Sequence, residues 1–287
     1  KRHIETLTML LPWILTFAVF WLYPLGYSAY LSMTKYITLT GEMSFIGFDN
    51  YLAVFADPVF YKSLVNTVIF TVGTVPLTAA LALFLAVLLN SRLARWREFF
   101  RASFFMPSVT SMVVLSLIFN NLYSKSGYIN AILSMIGAPF PERGWLLEPS
   151  TALASIMGMD IWISAGYYMV LFLAGMQAIP DDLYDSARLA GASPWQTFWR
   201  ITFPMLRNTT MLVIVINTIK AFQVFIEIFV MTKGGPLDAT SSLVYQVYSN
   251  AFEKMDMFGY ASALAYVVFA VLLAMSLLQM KLLRAKD

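Results

Sequence analysis

The residues able to do chemistry are few, and their placement excludes most of it. There is no cysteine, so disulfides, thiolate metal sites and cysteine nucleophiles are ruled out. The single histidine, His3, stands at the start of the sequence, so no histidine triad or zinc site can be built from this chain alone. No GxxxxGK[ST] loop is present to cradle phosphates. What stands out instead is three charges in apolar surroundings: Asp160, Lys220 and Glu227. Charges in a membrane span are costly and face a bundle interior or a water-filled cavity. Asn217, Lys220, Gln223 and Glu227 recur at i, i+3, i+6 and i+10, which predicts one polar stripe on a helix. Asp160, Ser164, Tyr167 and Tyr168 form a similar set on another. Facing stripes of this kind offer donors and acceptors to a hydroxyl-rich solute, and Trp162, Phe222 and Phe225 could stack on its rings. A simple ion pair of Asp160 with Lys220, holding the bundle together, accounts for the charges equally well. The two readings stand side by side. No acid–base pair flanks a nucleophile, so no catalytic residue is assigned and any energy source sits on another chain.

The elements that position these residues are membrane spans. Hydrophobic residues make up 59% of the 287 and charged residues 12%, against about 25% charged in soluble domains. Thr6–Thr34, Ser63–Ser91, Ala102–Ser124 and Met257–Met280 carry no charge, Pro149–Pro180 contains only Asp160, and Asn208–Thr232 contains only Lys220 and Glu227. Each is long enough for a helix of about 20 residues across a core of about 30 Å. The expected fold is therefore an all-α membrane protein with six transmembrane helices, at about 8–33, 64–90, 102–123, 151–178, 208–231 and 258–281. All of 1–287 is read as one transmembrane domain without an internal repeat. The first run is too long for a removable signal peptide, and no small-residue cleavage site follows it. Asp160 falls roughly 15 Å inside the outer end of span four and Lys220 roughly 18 Å above the inner end of span five, both near mid-depth.

Basic residues set the orientation. With the N-terminus inside, Lys1, Arg2, Arg92, Arg95, Arg97, Arg101, Arg188, Arg200, Arg207, Lys281, Arg284 and Lys286 are cytoplasmic. Only Lys35, Lys62, Lys125, Arg143, Lys233 and Lys254 are then outside. This two-to-one bias places both termini in the cytoplasm. The formal charge of +3 is small and unclustered, unlike a nucleic-acid stripe. Outside, residues 47–61 read as an interfacial segment, and Trp145 reads as a headgroup anchor for the Gly- and Pro-rich stretch 124–149.

Between spans four and five lies a polar island, residues 179–207. Its local chemistry predicts two short helices joined by a turn. Asp182 is the expected N-cap, with Asp185 reaching back as a weak capping box. Gly191 supplies a left-handed stop. Ser193 caps the second helix, with Pro194 at its first position and Gln196 completing a stronger capping box.

This island resembles the EAA loop of ABC importer permeases, in which Glu-Ala-Ala is followed by Gly and, after nine residues, by Ile-x-x-Pro. Here the pattern reads Asp185-Ser186-Ala187, Gly191, Ile201 and Pro204, with Asp for Glu, Ser for the first Ala, and Ala190 where Asp often precedes the Gly. The outer run FVMTKGGPLDATSSLVYQVYSNAF (Phe229–Phe252) and the phrase FIGFDNY (Phe45–Tyr51) resemble the carbohydrate-importer permeases, with Lys233 replacing one Gly of the outer turn. The large extra outer domain of some maltose-type subunits is absent. The resemblance implies a multi-pass permease of the bacterial inner membrane that moves a di- or oligosaccharide delivered by a binding protein. It further implies an unlike second permease subunit and two ATPase subunits that hold ATP and Mg; this chain itself holds no cofactor. Asp181, Asp182, Asp185, Ser186, Ala187, Gly191, Ile201 and Pro204 would couple to the ATPase. Asp160, Tyr167, Asn217, Lys220, Gln223 and Glu227 would line the substrate pathway. Import of a glycerophosphodiester or a polyamine remains an alternative, since coupling helices are alike in all of these. A secondary transporter is the other, although the matched broken helices expected of one are not visible in the sequence.

Overall fold

The computed structural model describes residues 2–38, 40–90 and 96–283. Lys1, Arg92, Arg95, Arg284 and Lys286, which enter the charge bias, lie outside the described residues, and Arg2 and His3 are described for their backbone alone.

In chain order, α1 (Arg2–Phe17) runs through a π-helical turn at Ala18–Leu22 into α2 (Tyr23–Ser32). Two short strands, β1 (Thr34–Tyr36) and β2 (Met43–Phe45), precede α3 (Asp49–Ala56) and the long α4 (Pro58–Asn90). Next come α5 (Arg97–Val109), α6 (Met112–Leu122), α7 (Tyr128–Met135) and α8 (Ala152–Gln177). The island holds α9 (Asp181–Leu189), α10 (Pro194–Thr197), a π-helical turn at Phe198–Thr202 and α11 (Phe203–Met205). The chain closes with α12 (Arg207–Phe222), α13 (Ile226–Met231), α14 (Leu243–Tyr248), a π-helical turn at Ser249–Glu253 and α15 (Phe258–Leu283).

Among the described residues, five helical stretches are long and apolar enough to cross a membrane: Met9–Ser32, Pro58–Asn90, Ala152–Gln177, Arg207–Met231 and Phe258–Lys281. The sixth span departs from expectation. In place of an unbroken helix over 102–123, α5 and α6 meet at a bend of 95°. Pro107 has no N–H to continue the α5 ladder, and Thr110 and Ser111 are extended, so the helix ends and restarts. A second interruption lies within span five, at Gln223–Phe225 between α12 and α13. Broken helices are thus present, contrary to the sequence reading. The small hairpin, with Thr34 opposite Phe45, is likewise a β element in a chain expected to be all-α.

The chain divides into two compact units, Lys1–Tyr61 with Leu243–Val271, and Lys62–Ser242 with Leu272–Asp287. In the first, Asn50 ties the hairpin to its helix: its Nδ2 donates to the carbonyls of Ser32 and Thr34, each at 2.9 Å. Tyr260 donates to Asp57 Oδ2 at 2.8 Å, and Gly259 packs where any Cβ would overlap the Thr34 carbonyl. Residues 48–56 present Phe48, Leu52 and Phe55 outward, as an interfacial segment would.

In the second unit, α4, α8 and the start of α12 enclose an apolar core of Ala82, Ala86, Tyr168, Met169, Phe172, Leu206 and Val213. Small residues let backbones approach closely. Gly166 of α8 lies against Phe104 of α5, where a Cβ would overlap the Phe104 carbonyl, and Ser108 Oγ donates to Ile163 O at 2.7 Å beside it. Trp145 is partly buried. Its Nε1 donates to Asn130 Oδ1 at 2.7 Å, pinning the loop, because a partly buried indole N–H needs an acceptor.

Candidate functional site

Asp160 is placed on the inward face of α8, with only 1% of its surface exposed. It is brought directly to Lys220 of α12: Lys220 Nζ lies 2.6 Å from Asp160 Oδ1. Ser164, one turn along α8, joins both. Its Oγ accepts from Lys220 Nζ and donates to Asp160 Oδ1 at 3.3 Å. The pair is asymmetric: the lysine side chain keeps 39% of its surface exposed and the aspartate side chain 2%. A long stem carries the ammonium to a carboxylate that has no route to water of its own. One carboxylate oxygen, Asp160 Oδ2, is buried without a hydrogen-bond partner, and Asn217 Oδ1 on α12 is in the same condition. Asn217 Nδ2 reaches only the Val75 carbonyl, at 3.5 Å.

The stripe expected on span five is redistributed by the break. Asn217 and Lys220 remain on α12, Gln223 caps that helix and is exposed, and Glu227 begins anew in the first turn of α13, buried. A single helical face therefore does not carry all four. The break places Glu227 in the first turn of α13, where the unpaired N–H groups of a helix start favour an acid. The freed Val224 carbonyl is met by Ser242 Oγ at 2.7 Å, so the interruption leaves that backbone group satisfied. Tyr167 is half-exposed and meets Tyr168 edge-on at 5.2 Å. Of the candidate stacking rings, Phe222 is fully buried, Trp162 leans on Phe119 at 5.6 Å, and Phe225 stacks on Phe229 at 5.5 Å.

A charge-based reading passes over a second polar set. Ser63, Thr67, Thr71, Thr74 and Thr78 form a buried hydroxyl column on α4, at spacings of three or four residues. At its N-terminal end Ser63 Oγ donates to Ser241 Oγ at 3.0 Å. Asn66 Nδ2 donates to the carbonyls of Asp238 and Ser241 at 2.8 and 3.0 Å, and Lys62 Nζ to the Leu237 carbonyl at 2.5 Å. These bonds hold the loop that follows α13, where Lys233, Leu237 and Asp238 all have positive φ. The signal for the column was present in the sequence as hydroxyls at helical spacing.

In the island, α9 starts at Asp181 with Pro180 at the N-cap position and no side-chain cap. Asp182 is therefore not the cap, and it lies exposed in the first turn with Asp181. Asp185 does not close a capping box and instead pairs with Arg188 at 3.1 Å. Pro180 sits at a β-like ψ of 133°, so the helix begins two residues early and takes both acids into its first turn. The rest of the turn follows expectation: Gly191 has φ +72°, and Ser193 and Gln196 form the capping box ahead of Pro194. Ser186 is exposed, Ala187 is buried, Ile201 is partly buried and Pro204 is exposed. Tyr184 of α9 bonds Thr202 at 3.1 Å, which ties the two halves of the island together.

Comparison with known proteins identifies the family. Residues 60–284 match the family model for the binding-protein-dependent transport system inner membrane component. The chain is 40% identical over 269 residues to the probable ABC transporter permease protein YurN of Bacillus subtilis (strain 168), covering 93% of this chain and 92% of that one. It is 35% identical over 270 residues to the lactose transport system permease protein LacF of Rhizobium radiobacter, covering 93% and 90%. Among solved structures it is similar in fold to a bacterial ABC transporter involved in import of the acidic polysaccharide alginate. The TM-score is 0.83 at 24% identity, covering 99% of this chain and 96% of that one. The family match sets aside the secondary-transporter alternative. The chain belongs to the family of binding-protein-dependent transport system inner membrane components.

Proposed function

We propose that this protein is the permease subunit of an ATP-driven ABC importer that carries a di- or oligosaccharide across the cytoplasmic membrane. The observation that carries the reading is the buried, incompletely satisfied polar network of Asp160, Ser164, Lys220 and Asn217, set between two spans that flank the polar island. Hydroxyl-rich solutes exchange donors and acceptors with such groups, and an orphaned buried acceptor is costly unless something donates to it. The names of relatives support the solute class, since one is a lactose permease and another, 33% identical, an arabinooligosaccharide permease. Residues 1–287 act as one transmembrane domain with both termini cytoplasmic. A second, unlike permease subunit completes the pathway. Two ATPase subunits bind ATP and Mg, and a binding protein delivers the solute from outside. Asp181, Asp182, Asp185, Ser186, Ala187, Gly191, Ile201 and Pro204 form the coupling element. Closure of the ATPase dimer moves α9 as a rigid body and tilts α8 and α12, which flank it, so that the pathway alternates its opening. Asp160, Tyr167, Asn217, Lys220, Gln223 and Glu227 line that pathway.

The test is ATP hydrolysis by the reconstituted complex, stimulated by the cognate binding protein loaded in turn with saccharides, glycerophosphodiesters and polyamines. Stimulation by a di- or oligosaccharide is expected. Stimulation only by one of the other two classes would overturn the solute assignment, and hydrolysis indifferent to every loaded protein would overturn the importer reading.

A further inference from the structure

The second half of the island has a surface unlike the first. Trp195, Trp199 and Phe203 follow one another at i, i+4 and i+8, with ring centroids 5.6 and 5.1 Å apart, and Phe198 closes the ladder from the side. Trp195 is 70% exposed, Trp199 48% and Phe203 38%. Thr202 and Leu206 of the same stretch are buried, so only part of its surface packs inward. The pattern is thus the reverse of a water-facing helix: rings point out. Arg200 and Arg207 are exposed beside the ladder, and neither makes a salt bridge to a carboxylate among the described residues. The first half, α9, exposes Asp181, Asp182, Asp185 and Ser186 and no aromatic ring beyond the partly buried Tyr184.

We propose that residues 194–207 are a membrane-interface foot, in which Trp195, Trp199 and Phe203 sit at the headgroup–acyl boundary and Arg200 and Arg207 engage anionic phospholipid headgroups. The proposal rests on the cytoplasmic placement of the island given above. Two features single out lipid as the occupant. Half-exposed Met205 of α11 and Leu212 of the adjoining span add exposed apolar surface after the ladder. The unpaired cations match the anionic inner leaflet, while indole rings favour the interface over either bulk phase. The turn at Leu206, with φ −81° and ψ 3°, interrupts the helix between foot and span and lets the foot lie at an angle to α12. Through the Tyr184–Thr202 bond the foot fixes the height of α9 relative to the bilayer, so α9 meets its partner from a defined platform.

The chain has no native cysteine, so single probes can be placed cleanly. Trp195→Cys, Trp199→Cys and Leu189→Cys, each labelled with bimane, are reconstituted as the full complex in nanodiscs containing acyl-brominated phosphatidylcholine, with and without phosphatidylglycerol. Quenching by bromolipid is expected at 195 and 199 and not at 189, where Leu189 is 91% exposed on α9. Phosphatidylglycerol should deepen the quenching, and Arg200→Gln with Arg207→Gln should abolish that increment. Labels at 195 and 199 that bromolipid does not quench overturn the proposal. Quenching by aqueous iodide would then assign the ladder to solvent, and shielding from both quenchers would assign it to a protein partner. The readout does not depend on which solute is carried, so it fails or succeeds separately from the importer reading.

Discussion

Two polar networks in the second unit differ in how completely they are satisfied. The outer one joins Lys62, Ser63 and Asn66 to the loop after α13, and each of these side chains has a partner there. Thr232 and Thr240 bond each other within that loop at 2.7 Å, and Thr240 also meets the Gly235 carbonyl at 2.6 Å. The inner one contains the only lysine–aspartate pair among the described residues, yet it leaves Asp160 Oδ2 and Asn217 Oδ1 without donors. A closed network rigidifies and specifies one geometry, whereas an open one retains unmet capacity at a cost in stability. The outer network is therefore read as a brace and the inner one as a place where a polar solute can be received.

The largest effect should come from splitting the inner pair. Lys220→Met leaves Asp160 as a lone buried charge, a loss of about 3–5 kcal/mol by analogy with other broken buried pairs. The yield of monodisperse complex should fall sharply. Lys220→Met combined with Asp160→Leu removes both charges and should restore assembly, but transport should stay poor with altered solute preference. A double variant with normal rate and selectivity, together with no effect of Gln223→Leu, would reduce the inner network to a structural pair.

Next in size is a change that spares both networks. Gly191 holds φ +72°, and a β-branched residue there is strained by roughly 1–2 kcal/mol. Gly191→Val should leave assembly and solute preference intact while transport and binding-protein-stimulated ATP hydrolysis fall. If the variant matches the parent in both assays, the coupling assignment of the island is wrong.

Breaking the brace should be milder. Asn66→Leu strips a donor from the Asp238 and Ser241 carbonyls, a cost of about 1–3 kcal/mol. Proteolysis within 233–242 should accelerate while the rank order of transported solutes is preserved. A changed rank order would make the outer network part of the selectivity apparatus and erase the contrast between the two.

The smallest perturbation tests only where the brace lies. Leu237 is 80% exposed, whereas Ser241 is fully buried by the brace. Leu237→Cys should react with an impermeant thiol reagent added outside, Ser241→Cys should react slowly until Asn66 is also changed, and Thr197→Cys should not react from that side. Labelling of Thr197→Cys and not Leu237→Cys would invert the topology.

Much of this was legible in residue order. Uncharged runs located five spans, because a hydrocarbon core demands length and apolarity, which are one-dimensional properties. The Gly191 turn and the Ser193–Gln196 capping box were also readable, since caps and left-handed stops are settled within four residues. The first cap of α9 was misplaced by two residues because Pro180, not Asp182, precedes the helix. The breaks at 109–112 and 223–225 were not anticipated. The second has neither Pro nor Gly, and Ser242, far along the chain, meets the carbonyl it frees.

The sequence by itself determined what kind of solvent surrounds this chain, where five apolar crossings can lie, where the polar island lies and which charges are out of place. These are sums and spacings over neighbouring residues. Only the tertiary structure decided that Asp160 meets Lys220 and Ser164, that Gln223 leaves the stripe while Glu227 turns inward, and that Asn66 braces a loop some 170 residues away. The reason is physical: a buried polar atom must find a partner in space, and which partner it finds depends on how helices pack, not on how far apart residues stand along the chain.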